Sequence, residues 1–150
     1  MGDHVLIAIG TRPEAIKMIP VVRAVRAAGL RVTVVVTGQH REMLDQVFAV
    51  FGERPDVDLN LMTAGQSLPQ LTASVLTAMS ETISRLQPDV VLVHGDTTTA
   101  MATALAAFYA RVRIGHVEAG LRSFDLDRPW PEEFNRVAVD CIADWLWATT

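Results

Sequence analysis

Three acidic residues stand where an apolar run gives way to a polar motif: Asp96 in "HGDTTT", Glu118 in "GHVEAGLRS" and Glu132 in "PWPEEFNR". Basic residues accompany them, with Arg12 and Lys17 in "GTRPEAIK" and Arg136 one helical turn after Glu132. Carboxylates crowded together and partly withdrawn from water have their protonation shifted. Such a set can supply both a general acid and a general base. Cations beside it favour an anionic ligand, so acid/base chemistry on an anion is the enzymatic reading the pattern supports. No His/Cys cluster has zinc spacing, so no metal site is expected, and there is no G-x-S-x-G nucleophile elbow. The first motif has neither G-x-G-x-x-G nor G-x-x-x-x-G-K-[ST], which sets dinucleotide and P-loop chemistry aside.

Each residue also has a plain structural reading. Gly10 allows a tight turn, Pro13 suits a first helical position, and the N–H groups there can receive an anion, with Arg12 and Lys17 beside them or simply solvated. Asp96 or a following threonine can cap a helix, and His94 can be a satisfied residue at a strand end. Glu132 and Arg136 can pair as i, i+4 neighbours, and Glu133 reads as a solvated acid in a first helical turn. Phe134, Val137, Ala138 and Cys141 follow the spacing of a buried stripe, which makes Cys141 an inert thiol. Pro20 predicts a kink in the first helix.

The elements that must position these residues alternate. Strands are expected at "VLIAI", "VTVVV", "VDLNLM", "DVVLV", "RIGHV" and "WLWA". Helices are expected over 13–28, 41–51, 68–86, 98–109 and 131–143. Apolar strands separated by helices indicate a parallel sheet covered on both faces, hence a doubly wound, Rossmann-like α/β domain. With the strand order 3-2-1-4-5-6, ligands sit at the carboxyl ends of the strands, near the crevice between the first and fourth. The motifs at 10–17, 94–99 and 118–123 all follow strands and would converge there.

Composition sets the outer limits. A chain of 150 residues, half apolar and one-fifth charged, is one ordinary domain with a continuous core. No apolar run reaches the ~18–20 residues that cross a bilayer, and no secretory signal opens the chain, so the default expectation is a cytoplasmic protein with no membrane contact. A net charge of −4 with both signs interspersed speaks against a nucleic-acid partner.

Taken together, "GTRPEAIKM", "TGQHREMLDQV", "VLVHGDTTT", "AAFY", "GHVEAGLRS" and "PWPEEFNR", in that order and spacing, closely resemble the N-terminal half of the bacterial non-hydrolysing UDP-N-acetylglucosamine 2-epimerases. The resemblance implies a two-domain glycosyltransferase-B-like fold and a homodimer. It implies interconversion of UDP-N-acetylglucosamine and UDP-N-acetylmannosamine, by elimination of UDP to a 2-acetamidoglucal and its re-addition, without a redox cofactor. Carried over residue by residue, it makes Asp96, Glu118 and Glu132 catalytic carboxylates and Arg12, Lys17 and Arg136 substrate-site residues. Gln39 matches part of a regulatory site in some members; Gly65 stands where relatives with that site carry arginine. By the same resemblance, a second Rossmann-like domain would supply most nucleotide contacts, so the 150 residues alone are expected to lack activity and bind nucleotide sugar weakly. Trp145 and Trp147 are expected to be poorly buried. The alternatives are a glycosyltransferase of the same overall fold and a non-catalytic nucleotide-sugar-binding or dimerisation module.

Overall fold

The computed structural model describes residues 4–38 and 41–149; Gln39 lies outside the described residues. The elements run β1 (His4–Ile9), α1 (Arg12–Ala27), β2 (Arg31–Val36), α2 (Arg41–Phe51), β3 (Val57–Asp58) and α3 (Leu68–Leu86). They continue with β4 (Val90–His94), α4 (Thr98–Tyr109), β5 (Arg113–Ala119), α5 (Glu132–Ile142) and β6 (Trp145–Ala148). All pairings are parallel and the order is β3-β2-β1-β4-β5-β6. This is the doubly wound arrangement expected from the sequence, with its switch point between β1 and β4.

Strand alternation builds two cores. Leu6, Ala8, Val35, Val91, Val93 and Ile114 face α3, α4 and α5, meeting Val75, Met79, Ile83 and Val139. Ile7, Ile9, Val34, Val36 and Leu92 point to the other face, where α1 supplies Ala15, Met18, Ile19 and Val22 and α2 supplies Leu44 and Phe48. Each fully buried aliphatic side chain contributes about 1.5–3 kcal/mol, so the sheet is held from both sides and its strand ends form a firm platform. The alanine-rich α4 is buried nearly all round, packed on the sheet and against α3 and α5.

Three local features depart from or qualify the expectations. The strand expected over 57–62 shrinks to Val57–Asp58, because Asn60 takes a left-handed φ of 47° beside Gly38, where even a Cβ would come within 2.9 Å of Asn60 Cα. Helix α1 continues unbroken through Pro20, which sits on its exposed side. On the edge strand β6, Trp145 and Trp147 are 38% and 46% exposed and stack with ring centroids 6.4 Å apart.

At the switch point Gly10, just after β1, lies against the side chain of Thr99 on α4. A Cβ on Gly10 would lie 2.7 Å from Thr99 Oγ1 and 2.8 Å from Thr99 Cβ, and Thr99 is buried and bonded through its hydroxyl to Thr37 at 3.3 Å. Gly10→Ala is therefore expected to lower stability by about 1–3 kcal/mol, read from urea denaturation. A change below about 0.5 kcal/mol would show that α4 can retreat.

Candidate functional site

The loops after β1, β4 and β5 meet above the sheet, and α5 closes one side. Lys17 Nζ lies 2.5 Å from Glu118 Oε2. His94 Nε2, at the end of β4, lies 3.3 Å from the same carboxylate oxygen and makes no hydrogen bond of good geometry among the described residues. Arg136 Nη2 donates to Asp96 Oδ2 at 2.7 Å, while its Nη1 donates to the backbone carbonyl of Glu118. Two carboxylates, two cations and an imidazole from four separate segments thus form one linked cluster. Of the remaining expected site residues, Glu132 opens α5 partly exposed, with no ion pair among the described residues. Arg12 is exposed, with Nη1 3.9 Å from Met43 Sδ.

Glu118 is held in a conformation few residues adopt. Its φ is 62°, at a register shift between Val117 and Ala119 in the β5–β6 pairing. A bulge re-aims a side chain, and the left-handed backbone costs a non-glycine residue about 1–3 kcal/mol, so the strain must be held by its surroundings. The Arg136 guanidinium on the Glu118 carbonyl is one such restraint.

The electrostatics follow from burial and neighbours. Burial alone would push the Glu118 carboxyl up, but the hydrogen bond from Lys17 and the charges of Lys17 and Arg136 hold it below the ordinary range, so it is ionised at neutral pH. Burial lowers the affinity of His94 for a proton more than the Glu118 charge raises it, leaving a neutral imidazole. The cluster therefore offers an ionised carboxylate and a neutral imidazole side by side, one able to take a proton and the other able to carry one.

Three sequence expectations give way here, and one choice left open is decided. The first N–H groups around α1 are not open to an anion, because Glu14 folds back and receives the N–H groups of Gly10 and of Thr11, the latter at 2.7 Å. Of the two capping candidates the sequence offers, the threonine is the one used: Thr97 caps α4, its Oγ1 accepting from Ala100 N–H at 3.0 Å. Glu132 does not pair with Arg136, whose donors turn inward instead. The stripe Phe134, Val137, Ala138 and Cys141 is not the buried face of α5: Phe134 is 51% exposed and Cys141 is exposed. The buried residues are Glu133, Asn135, Arg136 and Val139, because this helix lies over strand ends whose carbonyls and carboxylates demand polar partners.

Glu133, which read as solvated, is 2% exposed and organises the 121–125 loop. Its carboxylate accepts from Arg122 Nε at 2.7 Å, Ser123 N–H at 3.1 Å and Phe124 N–H at 3.0 Å. Burial works against the charge, and these three donors more than offset it, leaving the carboxyl below its ordinary range. Glu133→Ala is expected to free the Ser123 and Phe124 amides, raising their hydrogen-exchange rates at least tenfold while β4 amides stay protected. Unchanged exchange at both positions would show that the loop holds itself.

Glu14 went unnoticed as a site residue, although Thr11-Arg12-Pro13-Glu14 has the spacing of a capping box and signals that role. Its second oxygen reaches further than a cap, accepting from Thr97 Oγ1 at 2.5 Å and tying the start of α1 to the start of α4. Nothing in the sequence announces that tie, since it spans 83 residues.

A family model described as UDP-N-acetylglucosamine 2-epimerase matches residues 23–150. The protein named "Probable UDP-N-acetylglucosamine 2-epimerase" from Ralstonia solanacearum is 54% identical over 147 residues, covering 97% of this chain and 39% of that protein. The UDP-N-acetylglucosamine 2-epimerase of Salmonella typhimurium is 53% identical over 147 residues, with the same coverage of 97% and 39%. Among solved structures, UDP-GlcNAc 2-epimerase from Neisseria meningitidis bound to UDP-GlcNAc superposes with a TM-score of 0.93 at 46% identity, covering 97% of this chain and 39% of that one. The chain thus spans about two-fifths of the length of the curated relatives it matches. Its strand order, its clustered carboxylates and these similarities agree: the chain belongs to the UDP-N-acetylglucosamine 2-epimerase family.

Proposed function

We propose that the protein carrying this chain interconverts UDP-N-acetylglucosamine and UDP-N-acetylmannosamine, with residues 1–150 as its N-terminal Rossmann-like domain and a second domain completing a glycosyltransferase-B-like enzyme. The observation that carries this reading is the cluster at the β1, β4 and β5 strand ends. There the ionised Glu118 lies between Lys17 and neutral His94, one residue network away from Asp96. The similar Neisseria meningitidis structure, which its description gives as bound to UDP-GlcNAc, names the ligand class.

In this reading a carboxylate of the set Asp96, Glu118 and Glu132 takes the C2 proton. The C1–O bond then breaks, its electron pair leaving with the diphosphate and a C1–C2 double bond forming. Return of the diphosphate oxygen to C1 and of a proton to the opposite face of C2 gives the epimer. Arg12 and Lys17 supply positive charge where the diphosphate departs. Arg136 acts through the Asp96 carboxylate and the backbone of Glu118, since its donors already bind the former and the Glu118 carbonyl. No redox step is required. Homodimerisation, a cytoplasmic setting and a place in cell-surface polysaccharide synthesis belong to the same reading and rest on the family resemblance alone.

The test is proton NMR of UDP-N-acetylglucosamine with the protein in D₂O. Deuterium at C2 together with the mannosamine isomer is expected; retention of the C2 hydrogen while the sugar moves to an acceptor would make the protein a transferase. Glu118→Gln is expected to lower turnover on the order of 10²–10⁴-fold. The isolated 150 residues are expected to bind the nucleotide sugar weakly, and a micromolar Kd by calorimetry would remove the need for a second domain in binding.

A further inference from the structure

The turn that carries Asp96 is not held by its own backbone alone. Gly95 N–H donates to the Val117 carbonyl at 2.9 Å, but the carbonyls of Gly95 and Asp96 are both captured by side chains. Asn135 Nδ2, from α5, donates to the Asp96 carbonyl at 2.9 Å. His116 Nε2, from β5, lies 2.6 Å from the Gly95 carbonyl, and a carbonyl only accepts, so Nε2 carries a proton. On the far side of the ring, Nδ1 lies 2.6 Å from Asp140 Oδ1. His116 is fully buried, so its orientation is set by these two contacts and by packing against the sheet. Gly95 itself has a φ of 69°, a backbone that needs external restraint to stay in one place.

We propose that His116 and Asp140 are positioning residues for Asp96: Asp140 orients the imidazole, the imidazole fixes the Gly95 carbonyl, and the turn thereby presents the Asp96 carboxylate to Arg136. The proposal rests on the assignment of Asp96 to the proton-transfer set. It adds two residues, 24 positions apart, that touch neither substrate nor reacting atoms. Second-sphere partners of this kind act by removing freedom from the group they hold, and displacing a catalytic group by about 1 Å lowers rate on the order of 100-fold.

The experiment has two arms. In the isotopically labelled 150-residue chain, Asp140→Leu is expected to speed amide exchange at Gly95, Asp96 and Thr97 at least tenfold, with less than a twofold change at Leu6, Ile7 and Val91. Asp140→Asn, which keeps a polar partner at Nδ1, is expected to restore most of the protection. Equal acceleration in the strands would make the pair ordinary core structure, and no change at the turn would remove it from Asp96 altogether; either result overturns the proposal. His116→Phe repeats the measurement from the other side of the contact. In the protein that carries this chain, Asp140→Leu is expected to lower kcat on the order of 10- to 100-fold with KM within twofold, and an unchanged kcat beside a loosened turn would overturn the catalytic half. Should the unsubstituted protein fail to epimerise, the assigned activity fails while the exchange arm still decides whether the pair holds the turn.

Discussion

Arg136→Leu is expected to lower stability by roughly 2–4 kcal/mol, among the largest single-residue effects in the chain. The side chain of Arg136 is 4% exposed and lies at the centre of the site, donating to the Asp96 carboxylate and to the Glu118 carbonyl. Leucine would fill part of the space but leave both acceptors without a donor, and the left-handed Glu118 without its restraint. The Asp96 side chain is 34% exposed, so water recovers part of the lost interaction, which is why the figure is set below the full cost of an orphaned buried charge. Lysine is expected to rescue only in part, since one ammonium cannot reproduce two divergent guanidinium bonds. Urea denaturation of the three proteins checks both statements; a loss under about 1 kcal/mol for leucine would mean that the turn and the bulge hold themselves.

Glu14→Ala should cost roughly 2–4 kcal/mol, because Glu14 is only 3% exposed and its loss strands the N–H groups of Gly10 and Thr11 and the hydroxyl of Thr97. The gentler Glu14→Gln isolates the charge. Burial pushes the Glu14 carboxyl above its ordinary 4.5, against the hydrogen bonds from Thr97, Gly10 and Thr11. A raised carboxyl means that the folded state binds more protons than the unfolded one. Its contribution is fully present below the unfolded pKa and is lost as pH rises through the folded one. The stability advantage of the natural protein over Glu14→Gln should therefore be greatest in acid and shrink as pH rises above the ordinary carboxyl range and through the raised folded one. Glu118 and Glu133, both lowered, bend the curve the other way, their contributions being lost as pH falls, so only the difference between the two proteins isolates Glu14. A difference that grows with pH would mean that the hydrogen bonds outweigh burial.

Continuous apolar runs and the helical stretches between them were enough to place the six strands and five helices of the described residues, because a sheet covered on both faces must write its burial into nearly every strand residue. Legibility failed where burial and hydropathy part company. On α5 the apolar spacing of Phe134, Val137, Ala138 and Cys141 pointed to the wrong face, since the helix lies over polar strand ends and buries Glu133, Asn135 and Arg136 instead. At β3 the expected strand stopped after two residues at a backbone reversal on Asn60 that its residue type only weakly signals. Asp96, Glu118 and Lys17 were legible as a converging set because each belongs to a polar motif at the carboxyl end of a strand, and Arg136 joined them through the family resemblance. Their pairing was not, because the choice between Glu132 and Asp96 as partner for Arg136 depends on how α5 is rotated, which local sequence does not encode.

That rotation carries a further consequence. A helix that buries Val139 against α4 but otherwise inserts a glutamate, an asparagine and an arginine is attached to the domain in large part through the groups of the site. Strands β1 and β4 and helices α1 and α3 are locked by continuous aliphatic contact on one face or the other. The molecule is thus expected to open in stages, with α5 and the 120s loop forming the least stable cooperative unit and the central sheet the most stable. Under mild denaturant a protease would cut first on either side of α5, and the same event that releases the helix would dismantle the acid/base cluster, so loss of the site precedes loss of the fold.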